Sequence, residues 1–320
     1  MGRLHNTPVA PPRTSEVRVK QGPSEAVKAL TLAAQSASTR RSYAQAVRHF
    51  EANGGRIGGS ARMLANYLAS FAGKLAVSTL EHRLIAIHRA HVDRGLKSPA
   101  KDSLVRKTMQ GIRRSAGSKQ RRVRAVVKDD LLELLVSVGQ QKPIRAARDK
   151  ALLLVGFAGA FRRSELVALD VADLTTYPHG LEVLIRRSKT DQTGEGRTVF
   201  IPHASDEDRC PVTALAAWRE LAGVERGALF RPINRHDQVS STRLTAQSVA
   251  LVVKSAMRAA RGAEASKAVS GHSLRAGFVT EAATVGLRNS AIMGQTGHKS
   301  LEMVYRYIRP VQRRQLMSLL

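Results

Sequence analysis

The N-terminal part of the chain carries apolar residues at helical spacing. Between residues 24 and 117 they recur every three or four positions, in segments separated by glycine and serine. This spacing predicts amphipathic helices that bury one face against each other in a small bundle. Ser38 or Thr39 is predicted to cap the first of them, and Ser60 the second. The predicted helices span residues 40–53, 61–73, 78–95 and 101–114.

Further along the chain, helical patterns alternate with a β-rich stretch. The run from Ala151 to Ala158 is apolar on every side, which predicts a helix buried in a core. Two runs rich in β-branched residues, 181–190 and 197–202, predict a hairpin whose loop is longer than two residues. The fold class is therefore predicted as mainly α with a small β-sheet or hairpin. Three more helices are predicted at 129–139, 211–223 and 245–261, the last of them ending at Gly262.

Length and composition divide the chain into four predicted parts. At 320 residues it is too long for one small domain and suits two. Residues 1–23 are basic and rich in proline, which predicts a disordered arm. Residues 24–114 form the first predicted domain, and the basic segment 115–124, with its serine and glycine, is the predicted linker. Residues 125–320 form the second predicted domain.

The predicted location of the protein rests on three features of the sequence. No run of 18 or more apolar residues occurs, so we expect no membrane span. The first residues contain no apolar core of a signal peptide. The single cysteine, Cys210, excludes an intramolecular disulfide and a cysteine-cluster metal site. We therefore expect a cytoplasmic protein.

The charge distribution indicates a polyanionic partner. The chain has 52 lysines and arginines against 25 acidic residues, a formal net charge of +27. Residues 1–124 hold 24 of the basic residues and 6 of the acidic ones, so the excess is greatest there. Such a field attracts nucleic acid and gives salt-sensitive binding. Because aromatic residues make up only 4% of the chain, stacking on single-stranded bases is disfavoured, and we expect double-stranded DNA and association with the nucleoid.

Candidate DNA-binding residues are the basic side chains of the predicted helices and the linker. Solvated basic faces are common, but their repetition on several helices of one basic domain favours a DNA-gripping surface. Three histidines of that domain, His82, His88 and His91, are expected to be surface or core residues rather than ligands. The DNA-binding candidates are Arg40, Arg41, Arg83, Arg89, Arg106, Lys107, Arg113, Arg114, Lys119, Arg121, Arg122 and Arg124.

The C-terminal part of the chain gathers groups that can handle a phosphate or a proton. His272, Arg275, His298, Tyr305 and Tyr307 stand close together in the sequence, among small residues and helix formers. His272 and Arg275 are three apart at a predicted helix start, so both can address one anion. A tyrosine with a pKa near 10 is a poor nucleophile at neutral pH and needs a neighbouring base or a positive field.

Residues far upstream can complete such a site. Arg162 and Arg163 follow the buried helix and need an anionic partner or a path to solvent, because an unpaired buried charge is costly. A structural ion pair with Glu165 is the alternative, and both roles can hold together. Lys189 stands where the predicted hairpin turns, a position at which lysine is usually only solvated. Two arginines could clamp a phosphodiester, histidines could move protons, and a lysine could protonate the leaving oxygen, with no metal required.

Several segments, in this order, resemble the tyrosine recombinase or phage integrase family. Each is weak alone, but together they cover most of the chain at family-like intervals. The family's tyrosine lies nine residues after the histidine of the TGH segment, which selects Tyr307 over Tyr305. The segments are AFRRSEL (160–166), RSKT (187–190), HSLR (272–275) and TGHKS (296–300), followed by the tyrosine. The resemblance implies a catalytic set of Arg162, Lys189, His272, Arg275, His298 and the nucleophile Tyr307, supported by Glu165.

The resemblance also implies an architecture and a reaction. It implies a helical SAM-like core-binding domain and a mixed α+β catalytic domain that together form a C-shaped DNA clamp. The tyrosine would form a 3′-phosphotyrosine and release a 5′-hydroxyl, without metal, cofactor or ATP. Family members act as homotetramers on two synapsed recombination sites of a mobile element, and some use an accessory directionality protein. Since residues 1–23 show no sign of an arm-binding domain, a simple two-site system is favoured.

Three rival functions stay open at this point. A type IB topoisomerase would share the covalent chemistry but act as a monomer without pairing sites. A DNA-binding regulator that has lost catalysis would keep the basic surface, and the full set of candidate residues argues against it. A metal-dependent transposase or nuclease would need converging carboxylates.

Overall fold

The computed structural model describes residues 24–116, 123–188, 191, 194–305 and 307. The chain divides into two units, Met1–Arg121 and Arg122–Leu320. This division falls inside the segment 115–124 that was predicted as a linker. No helix in the described ranges combines the length and the hydropathy that crossing a bilayer requires.

The first unit is a bundle of the amphipathic helices that the sequence pattern predicts. Their apolar faces meet in a core that includes Phe50, Leu68, Ile87 and Met109, each no more than 2% exposed. The helical part of the fold-class prediction is thus confirmed for this unit. The helices of its described part are α1 (Glu25–Ala33), α2 (Ala37–Ala52), α3 (Ala61–Ser70), α4 (Val77–Asp93) and α5 (Ser103–Ala116).

Two helix starts test the predicted caps. The cap predicted at Ser38 or Thr39 is wrong, because Ser36 caps α2 instead. The Oγ of Ser36 accepts a hydrogen bond from the backbone N–H of Thr39 at 3.1 Å. The cap predicted at Ser60 is confirmed, since its Oγ accepts from the backbone N–H of Met63 at 3.3 Å. Where several cap-forming residues precede a helix, only the backbone geometry selects among them.

His91 in α4 is a core residue, one of the two roles expected for it. The side chain is 0% exposed. Its Nδ1 donates to the carbonyl of Ile87 at 2.8 Å, and its Nε2 accepts from the backbone N–H of Gly58 at 2.9 Å. Both ring nitrogens are therefore satisfied by one neutral tautomer.

The second unit is built around a buried helix. Its α7 contains the apolar run predicted to be a core helix, and Ala151, Leu152, Leu153 and Val155 are all 0% exposed. That helix packs against α6, α9 and α11, so it fixes where its own C-terminal end lies. The helices of the described part are α6 (Lys128–Gly139), α7 (Pro143–Ala158), α8 (Arg163–Ala168), α9 (Pro211–Leu221), α10 (Ala246–Ala268), α11 (Ser273–Thr284) and α12 (Asn289–Thr296).

A three-stranded antiparallel sheet completes this unit. Its strands are β1 (Leu174–Tyr177), β2 (Gly180–Ile185) and β3 (Arg197–Pro202), in the order β1-β2-β3. The predicted hairpin is confirmed as β2 and β3, which pair Val183 with Val199. The strand β1 was not predicted; it pairs with β2 on the other side, Leu174 opposite Val183.

The long helix α10 is interrupted where its end was predicted. Val249, Val253 and Met257 form its buried face, as predicted. The predicted end at Gly262 is confirmed, because the backbone is not helical there, and a further helical segment that was not predicted continues to Ala268. Gly262 itself has φ 85° and ψ 178°, a kink that glycine adopts without steric cost.

Candidate active site

A tight turn after the C-terminal end of α7 positions Arg162, the first residue of the site. Ala160, just after the helix, has φ +48°, a left-handed conformation that is uncommon for a residue with a Cβ. The next residue, Phe161, is 2% exposed and anchors the turn in the core. Arg162 then forms the N-cap position of α8. The buried helix and the anchored turn together fix the backbone of Arg162.

Arg162 forms an ion pair with Glu165, the structural role that the sequence left open. Its Nη1 donates to Glu165 Oε1 at 2.6 Å, and its backbone N–H donates to Glu165 Oε2 at 3.0 Å. Glu165 is 2% exposed, so the carboxylate is held inside the protein by these bonds. The pair orients the guanidinium and leaves other nitrogens of Arg162 for a second partner.

Arg275 is a buried cation on α11. It is 1% exposed, and its Nη1 donates to the carbonyl of Ala160 at 2.8 Å. Within the described part of the chain, its Nε and Nη2 are buried without a hydrogen-bond partner. Burial, followed by the positive charge of Arg162, lowers the pKa of Arg275 to about 10. The guanidinium is still charged at neutral pH, so two charged donors face the site.

Tyr307 contacts the histidine that precedes α11. The Oη of Tyr307 lies 2.7 Å from His272 Nε2. Although His272 retains exposed surface, desolvation by the atoms around its ring lowers its pKa, and the charges of Arg275 and Arg162 lower it further. The imidazole is therefore neutral at pH 7. In that form Nε2 can accept a hydrogen bond from the tyrosine hydroxyl.

His298 lies on the other side of the tyrosine ring. It is 6% exposed, and its ring is stacked on Tyr307 with centroids 6.3 Å apart. Thr296 Oγ1 donates to the carbonyl of Ile292 at 2.7 Å, so its single proton is used there, and it accepts from His298 Nδ1 at 2.9 Å. Burial, and then the charge of Arg275, lowers the pKa of His298 to about 3. This histidine is also neutral.

The two candidate tyrosines have different surroundings. Both pack against a small apolar cluster that includes Val279, Ile292 and Val304. Among the contacts of the described residues, only Tyr307 meets the two site histidines. Tyr305 is half-buried against the apolar cluster.

The structure therefore brings together five of the six predicted catalytic residues and their support. Lys189, the sixth, lies outside the described residues. No group of three or more histidine, cysteine, aspartate or glutamate side chains is arranged to hold a metal ion in the described ranges. The residues brought together are Arg162, Glu165, His272, Arg275, His298 and Tyr307.

Sequence reasoning missed one residue of this region, Arg197. It opens β3, and its guanidinium approaches Glu165 at 3.6 Å. It also donates to the backbone just before Gly297 and His298. An arginine at the start of a strand gives no local signal, and only the order of segments around the hairpin could have indicated its place.

Comparison with known proteins agrees with this geometry. The model of the phage integrase family matches residues 125–314. An integrase/recombinase xerD homolog of Selenomonas ruminantium is 40% identical over 252 residues, which cover 78% of this chain and 73% of that protein. The chain belongs to the phage integrase family.

Solved structures in this family share the fold at low sequence identity. A lambda integrase (residues 75–356) dimer bound to a COC′ core site matches with a TM-score of 0.62 and 17% identity, over 92% of this chain and 95% of that one. The XerH site-specific recombinase bound to palindromic difH substrate matches with a TM-score of 0.59 and 22% identity, over 80% of this chain and 70% of that one. The mainly helical fold with a small sheet is thus a phage integrase fold.

The DNA-binding candidates of this phage integrase differ in their intramolecular partners. Arg89, Arg113 and Arg124 form ion pairs within their own units, at 2.9, 2.8 and 2.6 Å from carboxylates. The pairs of Arg89 and Arg113 are exposed and therefore weak, so DNA phosphates could compete for these two arginines, whereas the Asp130 partner of Arg124 is buried. Arg41, Arg106, Lys107 and Arg114 are exposed on their helices.

The remaining candidates are engaged with the protein or lie beyond the described residues. Arg83 Nη1 donates to Tyr67 Oη at 3.2 Å, and its guanidinium lies over the ring of Phe71. Arg40 Nη1 donates to the carbonyl of Gln35 at 2.7 Å. Lys119, Arg121 and Arg122 fall outside the described residues.

Proposed function

We propose that this phage integrase cleaves DNA with Tyr307, which attacks a phosphodiester to form a 3′-phosphotyrosine and a free 5′-hydroxyl. The chain is a site-specific tyrosine recombinase, an enzyme that transfers DNA strands. The observation that carries the choice of nucleophile is the 2.7 Å contact between Tyr307 Oη and His272 Nε2, beside a buried arginine.

His272 is proposed as the group that receives the tyrosine proton. An ordinary tyrosine keeps its proton at neutral pH, because its pKa is near 10. The neutral His272 offers an acceptor within hydrogen-bond distance of the hydroxyl. As the proton moves to His272, the phenolate oxygen attacks phosphorus.

Arg162 and Arg275 are proposed to hold the two non-bridging oxygens of the phosphate. The Nε and Nη2 of Arg275, which have no partner among the described residues, support this role, because a buried donor without a partner costs about 1–3 kcal/mol. A phosphate would satisfy those donors with charge-assisted hydrogen bonds. The donors are already in place before reaction, which is the arrangement that most lowers a barrier in which charge develops.

His298 and Lys189 are proposed to act on the other atoms of the phosphate. His298, neutral and stacked on Tyr307, would steady a phosphoryl oxygen. Lys189 would donate a proton to the 5′ oxygen as its bond to phosphorus breaks. The phosphodiester is replaced by a phosphotyrosyl ester, so its bond energy is kept for rejoining, and we propose that neither ATP nor metal takes part.

The proposed substrate is double-stranded DNA with specific recombination sites. The lambda integrase and XerH structures that share the fold are bound to such DNA, which supports the proposal. The net charge of +27 supports it as well. We further propose a homotetramer on two synapsed sites, aided in some reactions by an accessory directionality protein, that integrates, excises or resolves a mobile element in the cytoplasm.

A nicked suicide DNA that carries the recombination site tests this function. The 5′ fragment diffuses away after cleavage, so a covalent protein–DNA adduct at the 3′ phosphate should accumulate. DNA binding without any adduct would indicate a regulator that has lost catalysis. Relaxation of supercoiled plasmid that lacks any site would instead favour the type IB topoisomerase reading.

A further inference from the structure

Arg197 lies between the two halves of the candidate site. It is the first residue of β3, paired with Ile185 of β2. Its Nη1 donates to the carbonyl of Gln295 at 3.0 Å and to that of Gly294 at 3.4 Å. These are carbonyls in the last turn of α12, where a helix leaves acceptors unsatisfied and favours a cation. Arg197 therefore ties the sheet to the helix end that precedes His298.

The other branch of the Arg197 guanidinium faces the Arg162–Glu165 pair. Arg197 Nη2 lies 3.6 Å from Glu165 Oε2. The same oxygen accepts the backbone N–H of Arg162, and Oε1 accepts Arg162 Nη1. The carboxylate is thus shared by two arginines, one that would touch the phosphate and one that reaches the α12 end.

The turn after α12 is shaped around this guanidinium. Gly297 has φ +64°, and a Cβ at this position would come within 2.7 Å of Arg197 Nε. The backbone therefore passes against Arg197 and places His298 at the next residue. Gln295 fixes the same turn from its side chain, donating to the carbonyls of Ala158 and Phe200 at 2.8 and 3.1 Å.

Stability alone does not account for Arg197. Its Nε and Nη2 are buried without a hydrogen bond to any described residue, and desolvation lowers its pKa. Donors left unpaired inside a protein cost stability, so the contact with Glu165 alone does not explain an arginine at this position. An arginine has a purpose here if its Nη1 and Nη2 hold two parts of the site at a fixed separation.

We infer that Arg197 is a positioning residue that sets the separation between the Arg162–Glu165 pair and the turn that carries His298. The inference rests on the proposed function, since it assigns a role in the cleavage step. Lysine could keep the charge near Glu165 but has one point of attachment, so it could not also hold the Gln295 carbonyl.

Single-turnover cleavage of the suicide DNA at saturating protein tests the inference. Arg197→Met should lower the cleavage rate constant about 100-fold, the loss expected when reacting groups are misplaced by about 1 Å. Arg197→Lys should give an intermediate rate. The DNA concentration for half-saturation should stay unchanged in both variants. Arg186→Met is the matched control, because Arg186 follows β2 and pairs with Asp170 and Asp173, and it should cleave at the wild-type rate.

A double variant separates positioning from a general structural role. If Arg197 acts through Glu165, adding Arg197→Met to Glu165→Gln should slow cleavage less than the product of the two single effects. Fully multiplicative effects would overturn the inference. An Arg197→Met rate constant within about threefold of wild type would also overturn it. The same holds if the variant only yields less folded protein while the folded part cleaves at the wild-type rate. If the wild-type protein formed no adduct, the proposed function itself would fail.

Discussion

Two deeply buried polar residues, one in each unit, differ in how their hydrogen-bonding groups are satisfied. In the helical unit, His91 is fully buried and both ring nitrogens are hydrogen-bonded to the backbone. In the catalytic unit, Arg275 is buried as deeply, yet two of its three guanidinium nitrogens have no partner among the described residues. The first arrangement stabilises a fold, and under the proposed function the second leaves donors for a phosphate. Burial by itself therefore does not mark a functional residue; at Arg275 the role is supported by unused donors that lie beside Arg162, His272 and His298.

The largest expected effect concerns the nucleophile. Tyr307→Phe should abolish covalent adducts on the suicide DNA while leaving DNA binding intact, because only the attacking oxygen is removed. Tyr305→Phe is the matched control and should cleave within about threefold of wild type, since its ring packs against the apolar cluster. Adducts with the Tyr307 variant, together with none from the Tyr305 variant, would reverse the assignment.

A second variant separates function from stability at Arg275. Arg275→Met should slow cleavage by about 10²–10³-fold, the loss typical of removing a preorganised donor to developing charge. Its free energy of unfolding should change by no more than about 1 kcal/mol, because the lost bond to Ala160 is offset by relief of a buried charge. Urea denaturation and single-turnover cleavage measure the two quantities. A large loss of stability with a normal cleavage rate would place Arg275 in the same class as His91.

The pH dependence of cleavage tests the neutral state of His272. Its folded pKa is lowered by burial and by Arg275, so the proton-accepting form persists below the ordinary value of about 6.5. The cleavage rate constant should stay level as pH falls to about 6.5 and then decline about tenfold per pH unit below the lowered pKa. His272→Ala should be slow and lose this acidic limb. A wild-type midpoint above the ordinary value would contradict the electrostatics of the site.

The smallest effect on cleavage is expected at His91. His91→Ala leaves the Gly58 N–H without its acceptor and opens a cavity in the core of the helical unit, so the free energy of unfolding should fall by about 2–3 kcal/mol. The cleavage rate constant of the DNA-bound, folded protein should be unchanged. If that rate constant fell as it does for Arg275→Met, the contrast between His91 and Arg275 would not hold.

Local patterns predicted the elements of this fold better than their boundaries. The periodicity of α4 and the apolar run of α7 were sufficient to predict both helices, because these signals depend on near neighbours in sequence. The strand β1 was missed because Leu174–Tyr177 becomes a strand only through pairing with β2. The helical segment between Gly262 and Ala268 was missed as well, because the apolar pattern ends at that glycine.

The candidate site was predictable from its motifs but not from its geometry. The order of motifs pointed to Arg162, His272, Arg275 and His298, which the structure brings together around Tyr307. Their roles stay predictions. Arg197 could not be found in this way, because its partners lie in segments far from it in the sequence. The neutral state of both histidines also needed the structure, since it arises from desolvation and from arginines that the fold places beside their rings.

The close approach of Gly297 to Arg197 bears on how this enzyme can be diversified. A side chain at position 297 would meet both a left-handed backbone and a guanidinium 2.7 Å from its Cβ. A library that varies position 297 alone should therefore return glycine. A smaller residue at position 197 would remove the clash but also the bond to the Gln295 carbonyl, so a library that varies both positions should return glycine at 297 and arginine at 197.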